Sequence, residues 1–148
     1  MKKEEMMKLK GSFTAILRRK DGSVEVKRKD NLILNVGFDF ICNAIAATSQ
    51  PAPMAYTAVG TGTAAVAATQ TALATELTRV AATYAHTAGT KVFTLTSNFP
   101  AGTATGAITE AGICNASSGG TFLDRVVFDV INKGSDDELT TNFQFTLS

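Results

Sequence analysis

The feature that most constrains this chain is Asp21-Gly22, a dipeptide set between two runs of alternating residues. A type I′ turn needs positive φ at both central residues, and Asp-Gly is among the pairs that accept it. Closed that way, a hairpin over residues 12–29 pairs Leu17 with Val26, Arg18 with Glu25 and Arg19 with Val24. Phe13, Ala15, Leu17, Val24 and Val26 then share one face, while Arg18, Lys20, Glu25, Lys27 and Lys29 share the other. Turn and alternation agree on this register, which commits the start of the chain to antiparallel sheet.

Most of the chain beyond the hairpin also has strand character. Residues 139–147 alternate cleanly, with Leu139, Thr141, Phe143, Phe145 and Leu147 on one side. Further strands are expected near 31–34, 55–59, 77–85, 91–97, 106–115 and 122–131, the last with Phe122, Val126, Phe128 and Val130 aligned. One helix is expected over 36–48, with Asn35 as its N-cap and Phe38, Ile41 and Ile45 at helical spacing. Residues 63–75 are open between loop and short helix. Ala, Thr and Gly fill 55 of the 148 positions; Thr favours strands, and the small residues let backbones approach closely. The expectation is a mainly β protein, an antiparallel β-sandwich or jelly-roll-like barrel with one short helix. Residues 1–10 would form a flexible arm and 11–148 a single domain.

Charge is divided along the chain. Residues 1–30 hold 10 of the 14 basic and 5 of the 13 acidic groups, net +5, and residues 31–148 carry net −4. The overall balance of +1 argues against a dedicated nucleic-acid binder. One His and two Cys leave little for a metal site, and no cofactor is expected. Residues 33–47 are apolar but too short to span a bilayer, and Asp39 and Asn43 interrupt them. With no secretory segment in view, the chain is expected to be made in a cytosol, with Cys42 and Cys114 as buried free thiols. The sequon Asn115-Ala116-Ser117 carries no weight in that compartment.

Four constellations invite a chemical reading. Gly60-Thr61-Gly62-Thr63-Ala64-Ala65 matches the dinucleotide fingerprint after a strand, but Glu76 is the one acid between Ala65 and Ile108 and no βαβ unit follows. A glycine turn is the simpler account. His86 could serve Cys42 or Cys114 as a base, yet its setting is that of an exposed loop. Glu110 and Asp124 could form a glycosidase pair; Glu110 sits in an apolar strand, so a structural ion pair with Arg125 or Arg79 is the commoner outcome. The clusters 18–20 and 27–29 make a basic patch that could bind nucleic acid, but interleaved aromatics are absent and the rest of the chain is acidic. A solvated face or a dock for an acidic protein through Arg18, Lys20, Lys27 and Lys29 are the other readings.

The order of short segments adds a resemblance. A Gly11-Ser12-Phe13 start and the Asp-Gly hairpin precede Asn31-Leu32-Ile33 and a helix containing Gly37. Then come Tyr56-Thr57-Ala58-Val59-Gly60-Thr61-Gly62, Thr71-Ala72-Leu73 and Glu76-Leu77-Thr78-Arg79. Phe99-Pro100, Ile108-Thr109-Glu110-Ala111-Gly112-Ile113, Leu123-Asp124-Arg125-Val126-Val127-Phe128 and Asp137-Glu138-Leu139 complete the series. This resembles the small virion structural proteins of tailed bacteriophages, which serve as capsid-decoration, head-fibre or tail-associated subunits. The resemblance covers most of residues 11–148 and implies a non-enzymatic homo-oligomer, dimer or trimer, on the outer surface of the particle. Its partners would be the major capsid protein or other virion proteins, with no specific nucleic acid and no membrane. The basic hairpin and the residue 1–10 arm would anchor it to an acidic capsid surface. A tail, collar or fibre-attachment subunit is the alternative, and a small cytosolic binding or hydrolytic β-domain using Glu110 or His86 is another.

Overall fold

The alternating C-terminal run lies in the middle of a sheet, with a strand hydrogen-bonded on either side. The computed structural model describes residues 7–148, which form nine strands and one helix. These are β1 (Leu9–Arg18), β2 (Val24–Ile33), α1 (Asn35–Ala46), β3 (Tyr56–Gly60), β4 (Glu76–Ala81), β5 (Thr83–His86), β6 (Val92–Phe99), β7 (Gly106–Cys114), β8 (Asp124–Lys133) and β9 (Glu138–Leu147). Every pairing is antiparallel, in the order β4-β3-β7-β8-β2-β1-β9-β6-β5. β4 and β5 stand at opposite ends of that order, yet only Ala82 separates them in the chain. The sheet therefore curls back on itself into a nearly closed barrel, mainly β with one helix. Its joint between β2 and β8 is narrow: only Leu32↔Arg125 and Ile33↔Asp124 pair there.

The core forms where the inward residues of the two halves meet. Phe13 of β1 stacks on Phe128 of β8 at 4.8 Å between ring centroids and lies 4.9 Å from Phe143 of β9. Leu17, Leu95, Ile108, Ile113, Ile131 and Phe145 are buried around them. Each such side chain contributes about 1.5–3 kcal/mol on leaving water.

The hairpin register differs from the expected one by a single residue. Arg18 pairs with Val24, Leu17 with Glu25 and Ile16 with Val26. The cause is the turn. Gly22 alone has positive φ (+89°), its N–H donates to the Arg19 carbonyl (2.9 Å), and the Arg19 N–H donates to the Ser23 carbonyl (2.9 Å). Lys20, Asp21 and Gly22 thus make a three-residue loop, with Asp21 Oδ1 accepting from the Ser23 N–H (2.8 Å). Because the side-chain period is two, one residue of slip turns Val24 and Val26 outward and Lys27 and Lys29 to the side of Phe13.

Other boundaries also move. Residues 31–33 belong to β2, residues 77–85 bend at Ala82 into β4 and β5, and 63–75 contain neither helix nor strand. A bulge between Ile108 and Glu110 breaks the alignment expected in β8, so Val130 is exposed while Ile131 is buried. Residues 1–6 of the expected arm lie outside the described residues. Lys8 exchanges backbone hydrogen bonds with Ser148, and Leu9 and Lys10 already belong to β1. In α1 the N-cap is Leu34, with no side-chain cap, and Asn35 is the first helical residue. Gly37 is the only buried residue of α1, and it packs so closely that a Cβ there would collide with the Leu123 carbonyl.

Candidate functional site

The densest polar arrangement surrounds Glu110 in β7. The Glu110 and Arg125 side chains are fully buried. Arg125 Nε donates to Glu110 Oε2 at 3.0 Å, and Nη2 lies 2.8 Å from the same oxygen. The remaining acceptor capacity goes to backbone. Gly62 N–H (2.9 Å) and Thr75 N–H (2.7 Å) donate to Oε1, and Ala74 N–H donates to Oε2 (2.9 Å). Burial pushes the Glu110 carboxyl up, but the N–H groups of Thr75 and Ala74, the guanidinium and the Gly62 N–H outweigh it and hold the group below its usual range.

This geometry explains the glycine motif. Any Cβ at Gly60 would collide with the Thr75 carbonyl, and one at Gly62 would stand 2.5 Å from Glu110 Oε1. The glycines let backbone close around an anion, as in a phosphate loop, but the anion is the chain's own carboxylate. Arg125 Nη1 extends the cluster to the Ala64 carbonyl and Gln70 Oε1, both at 2.9 Å, and Thr109 Oγ1 donates to the Gly62 carbonyl at 2.8 Å. The Ala/Thr-rich loop of residues 61–75 is therefore pinned by one ion pair. Gln70 was not singled out by the sequence, because nothing in its surroundings marks it as a partner of Arg125.

Asp124 does not share the site of Glu110. Its Oδ1 accepts from the Ile113 N–H (2.9 Å) and its Oδ2 from Asn31 Nδ2, so it stitches the narrow joint between β2 and β8. Burial raises its pKa to about 7, against the lowering effect of those two hydrogen bonds. With Glu110 clamped by backbone and Asp124 by β2 and β7, neither carboxyl is exposed. His86 is exposed, with Nδ1 2.6 Å from the Val92 carbonyl. Cys114 is buried against the carbonyls of Tyr56 and Ala116, and burial pushes its thiol up to about 11. Cys42 is exposed on α1, which corrects the expectation of two buried thiols. Among the described residues no group of three or more His, Cys, Asp and Glu gathers as a metal site, and no helix is long and apolar enough to cross a membrane.

The basic hairpin is divided by its register. Arg18 lies on the outer face, where Nη1 donates to Thr140 Oγ1 (3.3 Å), and Lys27 and Lys29 lie on the other. Arg19 meets Glu25 at 2.5 Å and Asp137 at 3.7 Å, Lys27 meets Glu25 at 3.6 Å, and Lys20 meets Asp136 at 3.8 Å. The four residues Arg18, Lys20, Lys27 and Lys29 therefore do not form one patch.

A second surface was missed by the sequence reading. At the end of the barrel where β1 starts and β9 stops, an apolar groove of about 490 Å³ runs beside α1, lined by Phe40, Ile41, Ile45, Met54, Tyr84 and Leu147 among others. The available signal was α1 itself, which is apolar around most of its circumference and has Asp39 as its one charge.

No family model, curated protein or solved structure matches this chain.

Proposed function

We propose that the chain is a non-enzymatic structural subunit of a tailed-phage virion, a decoration or cementing protein on the outside of the head. The outer face of the β1–β2 hairpin carries this reading. Val24 and Val26, 59% and 45% exposed, lie there beside half-buried Ile16, with Arg18 paired to Val24 at one end and Arg28 next along the strand at the other. An apolar centre within a charged rim is the anatomy of a protein-docking patch; the rim also holds Glu138, paired with Arg18, and Asp30 beyond Arg28, and its two arginines suit acidic groups on a partner surface such as a capsid protein. The order of segments from Gly11 to β9 supports the virion setting. The internal clamps on Glu110 and Asp124 support a structural role for both carboxyls over a hydrolytic one. Synthesis in the host cytoplasm and final residence on the particle exterior follow from this reading.

The test adds purified chain to particles that lack it and measures occupancy. Arg18→Glu with Arg28→Glu should lower occupancy strongly and weaken its dependence on salt. Lys27→Glu with Lys29→Glu should have the smaller effect, because those side chains lie on the opposite face. Unchanged occupancy of the Arg18/Arg28 variant would overturn the proposal. Binding confined to the tail, at a few to some tens of copies, would assign the same patch to a tail, collar or fibre-attachment subunit.

A further inference from the structure

We infer that the outer edge of β2, residues 24–31, takes an extended acidic segment of another protein as an added strand. This edge is distinct from the outer face that carries the virion reading, and the inference does not rest on that reading.

The edge is unpaired over most of its length. β1 pairs with β2 from Val24 to Asn31, but β8 meets it only at Leu32 and Ile33. Among the described residues no other strand pairs with 24–31. The direction of the free groups follows from the turn. The Arg19 N–H donates to the Ser23 carbonyl, so bonded pairs alternate from there through Leu17↔Glu25, Ala15↔Lys27 and Phe13↔Lys29. The N–H and carbonyl groups of Val24, Val26, Arg28 and Asp30 therefore point away from β1. Leu32, next in that series, turns toward β8 and pairs with Arg125, as the alternation requires. An extended chain offers the matching row of acceptors and donors.

Side chains set the chemistry of that chain. Lys27 and Lys29 stand on one face of the edge; Val24 and Val26, both exposed, stand on the other, followed by Arg28. Glu25 and Asp30 flank this basic centre, and Glu25 is held by Arg19 at 2.5 Å and by Lys27 at 3.6 Å. Lys29 also lines an open groove of about 520 Å³ with Phe13, Arg28 and Asp30 among others, which leaves room for a partner's side chain. A segment that alternates acidic and apolar residues sets its carboxylates beside the lysines and its apolar groups beside the valines. Charge on an edge deters indiscriminate pairing, so opposite charge is the condition for entry. A second copy meets that condition poorly. Two-fold registers centred on Lys27 or Arg28 set Lys27 against itself, or Arg28 against itself and Lys27 against Lys29. The register centred on Val26 would need Glu25, which its own chain already engages.

The probe is a synthetic peptide of about eight residues, alternating valine and glutamate with threonine at each end, titrated into the full chain while amide hydrogen exchange is followed. Saturable binding is expected, with exchange slowed at the Val26 and Arg28 N–H groups. Those of Lys27 and Lys29, already bonded to β1, should change little. Lys27→Glu with Lys29→Glu should weaken binding by about 10-fold or more. Lys91→Glu, next to the first residue of β6 with β1 and β9 between it and β2, should not. N-methylation of alternate peptide residues removes the donors that face β2 and leaves every charge in place, so it should abolish binding. Absence of binding would overturn the proposal. So would binding that survives N-methylation or leaves exchange at Val26 and Arg28 unchanged, since charge alone would then hold the peptide. Equal binding of a peptide with lysine in place of glutamate would remove the acidic requirement and overturn it as well. Dimerisation without peptide that protects the same two N–H groups would make a second copy the occupant. None of these readouts involves a particle, so this proposal and the virion reading fail separately.

Discussion

Asp124→Asn gives the sharpest test of the β2–β8 joint. In the folded chain the Asp124 carboxyl has a pKa of about 7, against 3.8 when solvated. A raised carboxyl pKa means that the folded state holds its proton longer than the unfolded state. The contribution of this group to stability is therefore fullest below pH 3.8, falls as pH rises, and is lost above about pH 7. Three units at 1.36 kcal/mol each amount to about 4 kcal/mol. Asn keeps the shape and an oxygen for the Ile113 N–H but cannot ionise. Its amide would face Asn31 Nδ2, so Asn31 must turn over and present Oδ1, which is buried without a partner in the wild-type chain. Any fixed cost of that rearrangement, about 1–3 kcal/mol if a donor is left unpaired, applies at every pH. Urea unfolding of both proteins at pH 4 and pH 8 cancels it. The variant should gain about 4 kcal/mol relative to wild type between the two pH values. A relative change near zero would refute the reasoning, because it would mean that the carboxylate is solvated.

Glu110→Gln leaves Arg125 charged in a buried site and should destabilise the fold by about 3–5 kcal/mol. Hydrogen exchange should quicken at Gly62, Ala74 and Thr75, whose N–H groups the carboxylate holds. Because the Glu110 pKa is lowered on folding, its contribution is present above the solvated value of 4.5 and is lost as pH falls through the folded one, so the variant's deficit should shrink in acid. Gly22→Ala places a Cβ at φ +89° and should cost roughly 1–2 kcal/mol, read from thermal melts. A thiol reagent should label Cys42 in the native chain, while Cys114, buried and with its thiol raised to about 11, should react only on unfolding.

The sequence made some elements legible and hid others for identifiable reasons. β9 was readable because its period-two pattern separates a buried face from a more exposed one from Leu139 to Phe145, while Leu147 at its end is exposed. The β1–β2 hairpin was readable as a hairpin but not in register. Asp-Gly can serve as both central residues of a two-residue loop or as the end of a three-residue one. The apolar character of Val24 and Val26 favoured the register that buries them, and these are the side chains the fold leaves on the surface. The Glu110–Arg125 pair could be anticipated from a charged residue within an apolar strand. Its backbone donors at 62, 74 and 75 could not, since an N–H group leaves no mark on residue type. For α1, apolar residues around most of the helix meant that periodicity could not say which side packs, and the structure buries only Gly37.

The proposed place of this chain on a virion is tested most directly by locating and counting it in a reconstruction of the purified particle. The account predicts hundreds of copies on the head exterior, with the outer face of β1–β2, Arg18, Val24, Val26 and Arg28, against an acidic patch of the capsid protein. Absence of the chain from purified particles, or copies whose hairpin faces solvent, would contradict it.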